Sequence, residues 1–271
     1  MATESIARAD RIAAKFASIK AERRPGLVVF VTVGHPYRDA ALDVVPSLVA
    51  AGADAIELGM PFSDPIGEGP VIQESSFVAL QNGITIQDCL DTAANLRPRI
   101  GDTPVILMGY YNSLLAYGLE RFADACADAT VDGLIIVDLP SDEAQPLIEQ
   151  LGNHGIHLIP LLAPTSTDES IARSTQIGGG FVYCLSVTGV TGARAEVSDR
   201  GLDLVNRVRQ HTDLPVAVGF GISQREHVLE VGQRADAAVV GSALVHALAD
   251  GPDDAAAERG ARVVAELAGQ N

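Results

Sequence analysis

The stretch AGADAIELG, residues 51–59, sets the pattern from which the fold can be read: a small residue, an aspartate, a small residue, then a short apolar run ending on glycine. It returns as ATVDGLIIVD at 129–138 and as RADAAVVGS at 234–242. Such quasi-repetition is what several copies of one strand-and-helix unit leave in a chain. Outward from it, eight apolar, β-branched runs emerge: LVVFVTV (27–33), DAIELG (54–59), PVILMG (104–109), GLIIVD (133–138), IHLIPLL (156–162), GFVYCL (180–185), PVAVGFG (215–221) and DAAVVG (236–241). They lack apolar–polar alternation, which suits parallel strands covered on both faces. Helical patterns separate them, over 39–51, 71–97, 119–129, 142–153, 167–176, 201–210, 223–232 and 241–248. Eight units with no GxGxxG after the first strand favour an α/β fold of the closed (β/α)8 TIM-barrel type over a doubly wound open sheet.

Ile12, Phe16 and Ile19, spaced i, i+4, i+7 ahead of Pro25-Gly26, predict an extra N-terminal helix within 1–24. A last helix is expected within 251–271. No linker or low-complexity stretch divides the 271 residues, so a single domain spanning 1–271 is expected.

A net charge of −16 leaves no basic stripe for a nucleic-acid backbone or an anionic membrane surface. The N-terminus lacks a charged segment followed by an apolar one, and the three cysteines, Cys89, Cys126 and Cys184, show no CxxC spacing. The expectation is a cytoplasmic protein without disulfides or a zinc site. Lys15 and Lys20 are the only lysines, and both fall in the N-terminal helix.

In such a barrel the site lies at the carboxyl ends of the strands, with phosphate held by the loops after the seventh and eighth. Gly219 and Gly221 end the seventh run, and Gly241-Ser242 end the eighth at the start of a helix, so backbone N–H groups are placed to meet an anion. The loop after the sixth run, SVTGVTGARAEV (186–197), is long enough for a lid. Glu57 sits at the tip of an otherwise apolar run, where a carboxylate is costly without a partner or a task. Burial there raises its pKa and lets it exchange a proton near neutrality. Asp64 and Glu68 follow in the next loop, and taken singly each reads as a solvated loop acid. Tyr183 reads as a core phenol and Cys184 as packing. Of the histidines only His35 follows a strand at the active end, and no histidine cluster has metal-ligand spacing.

Residues 53–73, ADAIELGMPFSDPIGEGPVIQ, resemble the signature segment of the tryptophan synthase α family. The resemblance continues in order through VFVTVGHP (29–36), GYYN (109–112), VDLP (137–140), SVTGVTGAR (186–194), VGFGIS (218–223) and VGSALV (240–245). It implies retro-aldol cleavage of indole-3-glycerol phosphate to indole and glyceraldehyde 3-phosphate. By that likeness Glu57 matches the general acid/base, Glu68 the second carboxylate and Tyr183 the tyrosine near the first. Phe30 and Met108 match contacts to the indole ring, Thr191 the lid threonine, and Gly192, Gly221, Gly241 and Ser242 the phosphate cradle. Where the family pattern has Asp-Gly-Pro, this chain has Glu68-Gly69-Pro70, a carboxylate one methylene longer.

The resemblance also implies a β subunit that carries pyridoxal phosphate and receives indole, in an α2β2 heterotetramer, with no cofactor in this chain. The loops after the second and third strands, including Met60, Phe62, Pro65, Tyr110 and Tyr111, are then expected to rim the interface. Acid/base cleavage is the chemistry the residues favour, since a Schiff base needs a strand-tip lysine and a metal enolate needs a ligand cluster. A stand-alone lyase of the same family and a non-catalytic binding subunit remain alternatives.

Overall fold

The computed structural model describes residues 10–185, 199–219 and 221–270. All its strand ladders are parallel: β1 (Gly26–Thr32), β2 (Ala55–Gly59), β3 (Val105–Gly109), β4 (Gly133–Ile136), β5 (His157–Leu158), β6 (Leu161–Leu162), β7 (Val182–Leu185), β8 (Val216–Gly219) and β9 (Ala237–Val240), in the order β5-β4-β3-β2-β1-β9-β8-β7-β6. The two ends of that order are halves of the fifth predicted strand, parted at Ile159-Pro160. Ile159 N–H donates to Leu134 O at 2.8 Å on one side, and Pro160 O accepts from Tyr183 N–H at 2.8 Å on the other. The interrupted strand thus passes from one neighbour to the next and closes the barrel. Proline has no N–H to give a ladder, which accounts for the break.

Helices cover the outside: α1 (Arg11–Glu22), α2 (Ala40–Ala50), α3 (Pro70–Gln81), α4 (Ile86–Ile100), α5 (Tyr111–Tyr117), α6 (Leu119–Asp128), α7 (Gln145–Gly152), α8 (Asp168–Ile177), α9 (Asp199–Val208), α10 (Arg225–Val231), α11 (Ser242–Ala249) and α12 (Ala256–Ala268). No described helix is long and apolar enough to cross a membrane. Strand alternation sorts the apolar residues into two layers. Val29, Val31, Ile56 and Leu58 face the helices, whereas Val28, Phe30, Ala55 and Ile106 fill the barrel. On α1, Ile12, Phe16 and Ile19 are buried as their spacing predicts, and Phe16 meets Phe181 at 5.4 Å between ring centroids. This helix packs against the barrel's amino end.

The helix expected over 71–97 is two. Gly83 takes φ +76°, a conformation that interrupts a helix, and Thr85 opens α4 with a capping box shared with Asp88. Helix α5, in the loop after β3, has no counterpart in the predicted pattern.

The repeated aspartate receives a physical explanation. Asp54, Asp132 and Asp236 each precede a strand, and each grips the start of the neighbouring one twice. The aspartate N–H donates to Leu27 O, Val105 O or Val216 O at 2.8 Å in every case. The carboxylate accepts from the N–H of the same residue, at 2.9 Å for Leu27 and Val105 and 2.8 Å for Val216. Arginine completes each latch: Arg24 holds Asp54 through two nitrogens at 2.7 Å, Arg11 and Arg97 hold Asp132 at 2.7 and 3.0 Å, and Arg209 holds Asp236 at 2.8 Å.

These latches should differ in strength with burial. The Asp132 side chain is 4% exposed and its arginines 17% and 14%, against 31% and 41% for Asp236 and Arg209. Removing one member of a buried ion pair costs about 3–5 kcal/mol, while exposed pairs contribute about 0–1. Asp132→Ala is therefore expected to lose about 3 kcal/mol in urea unfolding and Asp236→Ala distinctly less. Equal losses would show that burial does not set the strength of the latch.

Candidate active site

At the carboxyl ends of the strands lies a cavity of about 480 Å³, lined among others by Phe30, Glu57, Glu68, Met108, Tyr183, Gly221, Gly241 and Ser242. Its charged centre comes from β2. Ile56 and Leu58 point outward, so the intervening Glu57 is directed into the barrel, level with Phe30 of β1 and Ile106 of β3. Glu57 is 1% exposed, and among the described residues neither of its buried carboxyl oxygens has a hydrogen-bond partner. Burial pushes its carboxyl up to about 8, and the charge of Glu68 adds to the rise. The rise favours the protonated acid at neutral pH.

Glu68 reaches the same cavity from the loop between β2 and α3, and burial lifts its carboxyl to about 7. The loop is held at several points. Gly67 N–H donates to Tyr110 Oη at 3.1 Å, Phe62 stacks on Tyr110 at 4.8 Å, and Gln73 Nε2 donates to Glu68 O at 3.0 Å. Tyr183 of β7 lines the cavity, its phenol held well above the usual range by burial and by Glu57 and Glu68. Phe30 and Met108 supply apolar wall, and Gly59 is needed beside Phe30 because a Cβ there would lie 2.3 Å from the ring Cζ.

The opposite side is formed by the chain after β8 and the start of α11. Helix α11 starts at Ser242 with Gly241 as an N-cap that offers no side-chain acceptor, so the N–H groups of its first turn receive no side-chain cap. Gly221, at φ +73°, brings the chain after β8 to the same region. Gly219 does not line the cavity. It sits in the ladder between Leu185 and Val239, and a Cβ there would lie 2.2 Å from Tyr183 Oη, so its missing side chain makes room for the phenol. Thr191 and Gly192 lie outside the described residues. Met60 and Tyr110 are buried, Met60 against Gly109 and Tyr110 under Phe62, while Phe62, Pro65 and Tyr111 are half-buried. The largest exposed apolar side chain of this loop is Ile66, 89% exposed, which sequence reasoning passed over.

Ser223 and His246 also line the cavity and were not anticipated. His246 stands four residues after Ser242 on the same helix face, a spacing that could have identified it. His35 is buried with Nδ1 unpartnered, and burial lowers its pKa. It does not line this cavity. Among the described residues no His, Cys, Asp and Glu side chains group to hold a metal ion.

A family model described as tryptophan synthase alpha chain matches residues 16–270. The chain is 46% identical over 259 residues to the tryptophan synthase alpha chain of Roseiflexus sp. (strain RS-1), covering 96% of this chain and 99% of that one. It is 48% identical over 257 residues to that of Chloroflexus aurantiacus, covering 95% and 97%. Among solved structures, Mycobacterium tuberculosis tryptophan synthase superposes with a TM-score of 0.88 at 37% identity over 97% of this chain and 98% of that one. The tryptophan synthase alpha chain of Legionella pneumophila gives 0.83 at 32%, over 97% of each.

Burial of Glu57 has a consequence for stability. Its folded pKa, about 8, lies above the roughly 4.3 of an unfolded glutamate, so between those values the folded state holds the extra proton. Its contribution to stability therefore falls as pH rises through that window. Glu57→Gln removes the titration. The urea midpoint of Glu57→Gln relative to the parent is expected to rise between about pH 4 and pH 8, and a difference that stays flat with pH would mean that Glu57 is not held as a neutral acid.

Proposed function

The chain belongs to the tryptophan synthase alpha chain family, and from that premise we propose that its barrel cavity cleaves indole-3-glycerol phosphate to indole and glyceraldehyde 3-phosphate by carboxylate acid/base catalysis. The observation that carries this reading is Glu57: a buried acid without a hydrogen-bond partner among the described residues, in a cavity that the start of α11 also lines.

Direct rupture of the bond between indole C3 and the side chain would expel a carbanion with no stabilisation. Protonation of C3 by Glu57 turns the ring into an indolenine whose cationic nitrogen accepts the bonding electrons. As the C–C bond breaks, the side-chain hydroxyl gives its proton to the Glu57 carboxylate, the aldehyde forms and the ring regains aromaticity. The acid ends as it began. Glu68, ionised, accepts a hydrogen bond from the ring N–H and stabilises the positive charge that develops there. Tyr183 packs beside both carboxyls, and Phe30 and Met108 flank the ring. Gly221, Gly241, Ser242 and the first turn of α11 hold the phosphate. By the family resemblance alone, Thr191 is assigned to the lid and Gly192 to the phosphate cradle.

The product is an apolar bicycle released from a cavity whose neighbouring loop carries the exposed Ile66. We place the contact with a pyridoxal-phosphate β subunit at the loops after β2 and β3, with Phe62, Pro65 and Tyr111 at the rim and Met60 and Tyr110 supporting them from beneath, in an α2β2 assembly. This chain needs no cofactor of its own for the chemistry described.

Glu57→Gln should lower kcat by about 10²- to 10⁴-fold, the usual contribution of a general acid. Cleavage needs Glu57 protonated and Glu68 ionised, so kcat/KM is expected to rise as pH passes about 7 and fall beyond about 8, with Glu68→Gln abolishing the rising limb. Wild-type turnover by a folded Glu57→Gln protein would remove the mechanism. Ser242→Asp places a carboxylate where the phosphate is to bind, yet suits a helix N-terminus. It should weaken glycerol 3-phosphate binding by more than about tenfold with little loss of stability, whereas Glu68→Ala should cut turnover and leave that affinity intact. Calorimetric titration separates the two.

A further inference from the structure

The interrupted strand leaves a split in the barrel wall. Strand β4 pairs with β5 only through Gly133 and Leu134, and β6 pairs with β7 alone. Above Pro160, therefore, no ladder joins the upper half of β4 to β6. A second cavity of about 340 Å³ lies at this split, between the β4–α7 loop and α8. Its inner wall is apolar, with Ile136, Leu158, Ile159 and Leu162, while Ser170, Ser174 and Arg173 of α8 stand across from it. Arg173 is tied to Asp142 of the facing loop.

Val137 and Leu161 line both cavities. Val137 follows the end of β4, anchored by its N–H to Gly109 O at 2.9 Å, and it touches the loop that carries Glu68: a Cβ on Gly67 would lie 2.7 Å from Val137 Cγ1. Leu161 stands level with Tyr183 in the β6–β7 pair. Both side chains are half-buried and pack on the barrel-interior cluster that includes Phe30, Met108 and Tyr183. Val137 and Leu161 thus form the boundary that the two spaces share.

We propose that Val137 and Leu161 are specificity-determining residues: they close the inner cavity at the split, and the outer cavity behind them is a latent subsite for substituents on the aromatic ring of the substrate. This rests on the reading that the inner cavity binds an indole ring. With both side chains in place the ring edge meets a wall. With either cut back, the apolar inner wall of the outer cavity becomes accessible through the split, where no backbone ladder stands in the way.

The test compares kcat/KM for indole-3-glycerol phosphate with that for ring-chlorinated analogues covering every benzo-ring position, in wild type, Val137→Ala, Leu161→Ala, the milder Leu161→Val, Ser174→Phe and Val137→Ala/Ser174→Phe. Adding or removing a group of methylene size in an apolar pocket changes discrimination by roughly 10- to 200-fold. Each alanine variant is expected to shift the ratio toward at least one chlorinated analogue by about tenfold or more, with Leu161→Val smaller in the same direction. Ser174→Phe fills the outer cavity from its far side. It should leave wild-type turnover of the unsubstituted substrate unchanged and cancel the gain of Val137→Ala. Ratios within twofold of wild type in all folded partition variants, or a gain that survives Ser174→Phe, would overturn the proposal.

Calorimetry with chloroindoles and indole provides a readout independent of turnover. If the unsubstituted substrate is not cleaved by wild type, the functional reading fails. The partition then stands if the truncated proteins gain affinity for a chloroindole relative to indole, and falls if they do not.

Discussion

A parallel strand cannot leave its backbone donors and acceptors unpaired in an apolar interior, and in this protein that requirement is met by closing the sheet on itself. Closure makes an inside and an outside, and side-chain alternation then assigns each strand residue to one or the other. The three aspartate latches act at the amino ends of the strands, where each carboxylate accepts the N–H of a residue at the start of the neighbouring strand. Arginine neutralises each of them, so much of the positive charge around the strands is spent at the structural end of the barrel. Lys15 is at that end too, 4.0 Å from Asp54. At the carboxyl end Glu57 and Glu68 line the cavity with glycines and the start of α11.

That division explains how Glu57 can function. A carboxyl group among apolar side chains with no hydrogen-bond partner is destabilising, and the fold tolerates it because the rest of β2 is buried and held on both sides by β1 and β3. The same isolation keeps its proton in place near neutrality. An arginine or lysine beside it would stabilise the fold and remove the acid. Glu68, on a loop pinned through Gly67, Tyr110 and Phe62, is less deeply placed and less perturbed, so its carboxyl gives up a proton at lower pH than that of Glu57. The additional methylene of Glu68 is accommodated by a loop with Gly67 and Gly69 on either side of it.

Closure is least complete at Pro160. The chain there spends one residue that cannot donate, passes from β4 to β7, and leaves the wall to be finished by Val137 and Leu161. Elsewhere the barrel interior is bounded by continuous ladders, whose shape the backbone imposes. At the split it is bounded by side chains alone, whose size can change without disturbing a ladder.

The sequence by itself determined the eight apolar runs, the packing face of the first helix and the candidacy of Glu57, because burial periodicity and a charge inside an apolar run are local properties. The family signature around Pro61 to Pro70 likewise needed only contiguous residues. It also contained signals read too coarsely: Thr85 and Asp88 spell a capping box that divides the helix predicted over 71–97, and Pro160 marks the broken strand. Tertiary structure alone decided which arginine meets which repeated aspartate, that Gly219 clears space for Tyr183 rather than facing the cavity, and that Met60 and Tyr110 are buried. It also brought Ser223 and His246 to the cavity and set Val137 and Leu161 between two cavities. Each of these depends on a contact between residues far apart in the chain, and closure of the barrel, not any local preference, sets those distances.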